Sequence, residues 1–443
     1  MLEWVGDLQY QDYVIDDWRT SRDEGREVAA LEKEAHRIFE LPRGGAERLA
    51  QAEKLYQQLQ SAPFVADWPY DEPSELAAIQ GARPAKRFAR RCDDKRDWSD
   101  AVRGAWHGRI AGCLAGKATE GLKRAEIAYV AEHGGDPTGT YLTSAGMNEE
   151  LAKKHAADKP WIDEVGDAAP PDDDTNYTVL ALRVLETYGR DFRPADVGEM
   201  WLWELPMLST WTAERVAYRN MAMALMPPET ATSRNPFREY IGAQIRGDLY
   251  GMVNPGDPET AAAMAWRDAS ISHTRNGIYG EMWVAAMIAA APYCRNFREV
   301  VEAGLGEIPE RSRLAEAVRK VIRWQESGLT VEQALAEFDK LYDEHDHYQW
   351  VHVLSNAMLV AMALLYHGEH FGDAVRFAVF AGFDTDCNGA TAGAIIGMQG
   401  GASAVPDAWV RPLNGALLTT LAKEPRVTID ELTARTLAQM PKD

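Results

Sequence analysis

Residues 384–401 read DTDCNGATAGAIIGMQGG, two acids running into a helix-like stretch with Gly389, Gly393, Gly397 and Gly401 at every fourth position. Spacing of four stacks residues on one helix face. The stretch 98–117 repeats the device with Gly104, Gly108, Gly112 and Gly116. Each glycine costs a helix about 0.8–1 kcal/mol relative to alanine, so four per helix need ~3–4 kcal/mol of compensation from packing. Close backbone approach supplies it. Both stripes are therefore expected to pack tightly against neighbouring helices or against each other, holding the Asp384 loop rigid.

Outward from these stripes the chain reads as helix after helix: 98–117, 174–188, 196–203, 211–225, 258–270, 277–291, 311–325, 331–342, 350–367, 372–380 and 387–400. Alternating β-branched runs are nearly absent, which predicts an all-α domain whose loops carry the polar motifs. Upstream, 13–59 has helical periodicity broken at Pro42-Arg43-Gly44-Gly45, predicting two antiparallel helices. A proline-rich stretch over 63–84 and a basic segment over 87–96 follow. A boundary near residue 95 separates a helical extension, 1–95, from a catalytic domain, 96–443.

The chain has 443 residues and a formal net charge of -21. That length supports a large buried core, and the acidity argues against nucleic acid as the main partner, because phosphate binding needs a basic face. The first thirty residues show no continuous apolar run, and the longest apolar stretch, Val353 to Tyr366, contains Ser355 and Asn356. No signal segment and no membrane span are expected. Cys92, Cys113, Cys294 and Cys387 form no CxxC pair, which fits a reducing cytoplasm.

The chemistry concentrates in two acidic clusters, Asp172-Asp173-Asp174-Thr175 and Asp384-Thr385-Asp386. Aspartate in a first turn caps a helix and suits its dipole. Three in a row exceed what a cap needs. Five carboxylates in one volume cannot all stay ionised without cations, and oxygen donors suit Mg²⁺, Mn²⁺ or Ca²⁺ better than zinc. An EF-hand is excluded because Ile395 stands where the loop's twelfth position needs glutamate. A phosphate loop at 111–118 (AGCLAGKA) lacks its first glycine and its Ser/Thr. His345 and His347 sit among acids and read as solvated, while His352 and Asn356 form a polar pair one turn apart in an apolar helix, aimed into a pocket or satisfied in the core.

Together these segments resemble the ADP-ribosyl-glycohydrolase family over about 100–402. The resemblance rests on Gly108-x-x-x-Gly112-x-x-x-Gly116, on Asp172-Asp173-Asp174-Thr175, on Gly242-Ala243-Gln244-Ile245-Arg246 with Asn254-Pro255-Gly256-Asp257-Pro258, on Ser272-His273 before Gly277, and on Gly382-Phe383-Asp384-Thr385-Asp386. It implies a compact orthogonal bundle of helices, a centre of two magnesium ions with manganese as a substitute, and hydrolysis of an N- or O-glycosidic bond at the ribose anomeric carbon. Carried over, Asp172, Asp173, Asp174, Asp384, Asp386 and Cys387 fall at metal-ligand positions, with Asp172 replacing a hydroxyl and Cys387 a threonine. Lys117 stands where an aspartate is common, and Glu120 is the nearest glutamate to reach the centre. Five aspartates and two divalent ions leave about one negative charge.

The mechanism so implied has metals holding the ribose hydroxyls and orienting a water whose proton goes to Asp174 or Asp386, with Glu120 also catalytic. Gln244, Arg246, His273, Tyr279, His352 and Asn356 would bind the rest of an ADP-ribosylated protein or small molecule. Asp248, next to Arg246, would repel a diphosphate if it faced the pocket, which favours a nucleoside-like substrate without the diphosphate. A non-catalytic, crystallin-like relative is the other alternative. Oligomeric state is not legible in the sequence.

Overall fold

The computed structural model describes residues 3–89, 97–135, 139–154 and 159–441. Helices dominate, and the single sheet among the described residues is a two-stranded antiparallel ribbon pairing Ala416–Leu418 with Arg426–Thr428. The all-α expectation therefore holds. The ribbon escaped the sequence reading because three residues per strand are too few to show an alternating pattern.

Two central helices, Trp98–Lys117 and Thr385–Gly400, run antiparallel along their glycine stripes. A Cβ placed on Gly104, Gly108 or Gly112 would overlap the carbonyl oxygen of Gly397, Gly393 or Gly389 respectively, and one on Gly116 would overlap the Thr385–Asp386 peptide. The two stripes are thus each other's partner. Close backbone approach brings the C-terminus of one helix against the N-terminus of the other, so residues near 117 and near 385 share a corner.

Around this pair lie Arg275–Ala290, buried throughout from Asn276 to Ala290, and Val353–His367, buried over most of its length. Both are apolar on every side, the pattern of helices enclosed by others. Pro258–Ala269, Arg313–Glu326 and Phe371–Phe380 cover them with amphipathic faces. Helices Arg124–Gly134, Phe297–Leu305 and Ile429–Ala438 were not expected. Each is short, and in Arg124–Gly134 and Ile429–Ala438 few residues are buried, so their periodicity is faint; Phe297–Leu305 buries most of its residues, but nine residues give little more than two turns of pattern.

The upstream residues form three helices rather than two: Val14–Asp23, Glu32–Glu40 and Ala46–Ser61. The extra break falls at Gly25, whose φ of +87° is left-handed and whose missing side chain makes room for Trp68. Val14, Trp18, Ile38, Leu55 and Leu59 fill a small core of their own. Leu8 and Tyr13 join a second patch with Val216, Phe237, Tyr240 and Tyr348. Buried ion pairs fasten the two parts: Arg238 to Asp17 at 2.6 Å and to Glu24 at 2.8 Å, and Arg313 to Glu72 at 2.8 Å. The expected boundary near residue 95 falls outside the described residues, as does Cys92; Cys113 and Cys387 are buried free thiols.

Candidate metal and active site

Both acidic clusters are helix N-termini. Asp172 caps Asp173–Tyr188, its Oδ1 accepting a hydrogen bond from the Asp174 backbone N–H at 2.9 Å. Asp384 precedes Thr385–Gly400, but its side chain makes no capping bond and stays available. The turn that delivers it is strained: Gly382 and Phe383 both have left-handed φ, 71° and 61°. A non-glycine residue held there costs about 1–3 kcal/mol. Asn356 braces the result, its Oδ1 accepting from the Asp384 N–H at 3.2 Å and from Asn388 Nδ2 at 2.8 Å.

The two N-termini meet. Donor atoms of Asp174, Asp386 and Cys387 lie within 4.8 Å of one another, as do those of Glu120, Asp384 and Asp386, and those of Cys113, Asp172 and Asp174. Asp173 belongs to none of these groups, yet Asp172, Asp174, Glu120 and Asp384 all bear on it electrostatically. The positive ends of two helix dipoles offset part of the repulsion.

Three basic side chains offset more. Arg109, fully buried, donates from Nη2 to Asp174 Oδ1 at 2.7 Å and to the Ile245 carbonyl at 2.6 Å. Lys117 Nζ lies 2.6 Å from Asp172 Oδ2, and Lys159 Nζ lies 2.5 Å from Glu120 Oε2. Burial pushes the Asp172 carboxyl up, but Lys117 beside it more than reverses that and holds it at about 2. Burial and then Glu120 push Asp384 up to about 6. Burial and surrounding carboxylates push Asp173 and Asp386 well above the usual range, and burial does the same to Asp174 against the pull of Arg109.

Such a site stores repulsion that a divalent cation relieves. The donors fit one: Asp174 Oδ2 is buried without a hydrogen-bond partner, and Glu120, half-buried, forms the edge nearest solvent.

The candidate substrate-binding residues divide into two sets. His352 and Asn356 sit at the start of one helix: His352 caps Val353–His367 through Nδ1 at 3.2 Å from the Leu354 N–H and faces Tyr348, Arg19 and Arg313, while Asn356 is the brace of the Asp384 loop already described. Arg246 and His273 lie in a buried polar network instead. Arg246 pairs with Glu214 at 2.6 Å, Asp268 at 2.5 Å and Glu281 at 3.5 Å, and His273 Nδ1 is 2.8 Å from Ser272 Oγ. The Gln244 amide is buried with neither polar atom hydrogen-bonded, and Tyr279 donates its hydroxyl to the Pro73 carbonyl. Asp248 is fully buried at 3.3 Å from Arg109.

Sequence reasoning missed Arg109 and Lys159 and named Lys117 only as a departure. Arg109 left no firm signal, since a guanidinium beside a stripe glycine need not be buried, as Arg103 beside Gly104 on the same helix shows by pairing with Asp430 at the surface. Lys159 left none, because its partner is remote and its segment irregular.

A model of the ADP-ribosylglycohydrolase family matches residues 94–440. Among solved structures, a chain described as an ADP-ribosylglycohydrolase-related protein complex is 20% identical, with 77% of this chain and 98% of that chain covered and a TM-score of 0.48. No curated protein matches at a significant level. No helix among the described residues is long and apolar enough to cross a membrane.

Proposed function

Because the chain belongs to the ADP-ribosylglycohydrolase family, we propose that it hydrolyses the N- or O-glycosidic bond at the anomeric carbon of an ADP-ribosyl group, with a divalent cation, Mg²⁺ or Mn²⁺, in the acidic cluster. The observation that carries this reading is the meeting of Asp174 with Asp386, and of Asp384 and Asp386 with Glu120, from helix N-termini far apart in the chain. A non-catalytic scaffold has no use for several acids held together against repulsion.

Glu120, Asp384 and Asp386, with Asp173 and Asp174 beside them, would hold the cation. When bound, it supplies positive charge to fix the ribose hydroxyls and the attacking water. Glu120 stands at the accessible edge and takes the proton of that water, the task of a positioned general base, which contributes about 10²–10⁴-fold. The water oxygen bonds to the anomeric carbon as the glycosidic bond breaks through an oxocarbenium-like transition state, and the proton accepted by Glu120 passes on through solvent to the leaving group, returning the carboxylate. Asp174, locked by Arg109, and Asp384, locked by Asn356, keep the donors in place, and such positioning supplies several kcal/mol.

The pairing of buried Asp248 with Arg109 supports the reading in which the diphosphate is part of the substrate. Arg246, His273 and Gln244 then act by shaping the turn that Arg109 ties to Asp174, Asn356 by holding the Asp384 loop, and His352 by capping the helix that carries Asn356. The test is release of free ADP-ribose from ADP-ribosyl-arginine, ADP-ribosyl-serine and O-acetyl-ADP-ribose, with simple nucleosides alongside, before and after chelation. Release from at least one ADP-ribosyl substrate, lost with chelator and restored by magnesium or manganese, is expected. No release from any of them would reject the reading.

A further inference from the structure

We infer that Lys117 is a resident cation of the acidic cluster: its ammonium fills the place at Asp172 that a second divalent ion would take, so that the chain holds one divalent ion, at Glu120, Asp384 and Asp386. This rests on the metal-centre reading above and decides its stoichiometry.

The three donor groups are not equal. Both oxygens of Asp172 are engaged, Oδ1 by the Asp174 N–H at 2.9 Å and Oδ2 by Lys117 Nζ at 2.6 Å. Asp174 Oδ1 is engaged by Arg109 at 2.7 Å. The group Cys113, Asp172 and Asp174 therefore retains one free carboxylate oxygen, Asp174 Oδ2, and a thiol. The middle group, Asp174, Asp386 and Cys387, also ends on a thiol. Sulfur is a poor donor to magnesium or manganese, which take carboxylate oxygen. Glu120, Asp384 and Asp386 alone offer three carboxylates, and although Lys159 engages Glu120 Oε2 at 2.5 Å, it leaves Glu120 Oε1 and both aspartates as oxygen donors.

Lys117 is built to stay. It is only 7% exposed and is the last residue of Trp98–Lys117, where the negative end of the helix dipole favours a cation. The glycine stripes fix that helix end against residues 385–386, so the ammonium returns to the same place without any ion in solution. Lysine is a compact point charge suited to this role. Asp172 and Lys117 are thus the two ends of one buried ion pair.

Removing the lysine alone leaves Asp172 buried without its partner, a strongly unfavourable state that a second divalent ion relieves. The experiment is calorimetric titration of the full chain with Mn²⁺, after exhaustive chelation, together with the Mn²⁺ spin-resonance spectrum at saturation. Wild type is expected to bind one ion and give the hyperfine pattern of an isolated Mn²⁺. Lys117→Met is expected to bind two, Lys117→Arg one, and Lys117→Met with Asp172→Asn one. Two ions in wild type, or an exchange-coupled wild-type spectrum, overturn the inference while leaving the metal centre standing, and this needs no variant to fold. A folded Lys117→Met chain that still binds one ion also overturns it. No ion in wild type removes both the inference and the reading beneath it.

Discussion

Gly108 and Gly393 face each other so closely that a Cβ on either would overlap the other's carbonyl oxygen. The contact repeats one turn away in each direction, and its last step reaches the Asp386 peptide. The packing of two helices and the position of the acids are one structural fact.

Gly108→Ala should therefore destabilise the protein even though alanine favours helix by about 1 kcal/mol. Backbone cannot yield as a side-chain tip can, so overpacking should cost about 1–3 kcal/mol net. Denaturant unfolding measures it, with an unchanged or raised midpoint as the contrary outcome. Gly393→Ala should behave alike, and the double variant should cost no more than the sum, because both force the same helices apart.

Asp384→Asn should abolish turnover and leave the helical content unchanged. The side chain makes no capping bond, so the helix keeps its N-terminus while the cluster loses a charged donor. Activity and far-ultraviolet circular dichroism read the two halves; full activity would reject the assignment.

Magnesium should stabilise the fold. An ion that binds only the native state at a hundredfold excess over its Kd adds about 2.7 kcal/mol. The melting temperature should rise with magnesium and fall back with chelator, and Asp384→Asn should lose most of that response.

Glu214 gives a pH signature away from the metal ligands. Burial pushes its carboxyl up to about 7 from 4.5, against the pull of Arg246. The native state thus binds this proton more tightly than the unfolded chain. The contribution is fully present below pH 4.5 and is lost as pH rises through 7, by up to about 3 kcal/mol. Glu214→Gln should remove that slope, so the stability difference between variant and wild type should change between pH 5 and pH 8. A difference constant over that range would contradict the assignment.

Much of the fold was written in local patterns. The 98–117 helix was legible to the residue, as Trp98–Lys117, because a stripe of glycines at spacing four has no other economical use. The two acid clusters were legible because three aspartates exceed what a cap needs. Less was legible where partners were remote. Arg246 next to Gln244 read as a ligand-binding arginine, and the structure surrounds it with Glu214, Asp268 and Glu281. Asp248 read as a threat to a diphosphate, and it turned toward Arg109. Neither orientation is encoded in spacing.

By itself, then, the sequence determined that the chain is helical, that two glycine-striped helices must each pack by close backbone approach, and that two sets of acids await a counter-charge, since each follows from residue type and period alone. Tertiary structure decided which charges meet. Arg109 found Asp174, Lys117 found Asp172 and Lys159 found Glu120, because a buried charge is stable only beside its opposite, and which opposite lies within reach depends on how distant helices are set against each other.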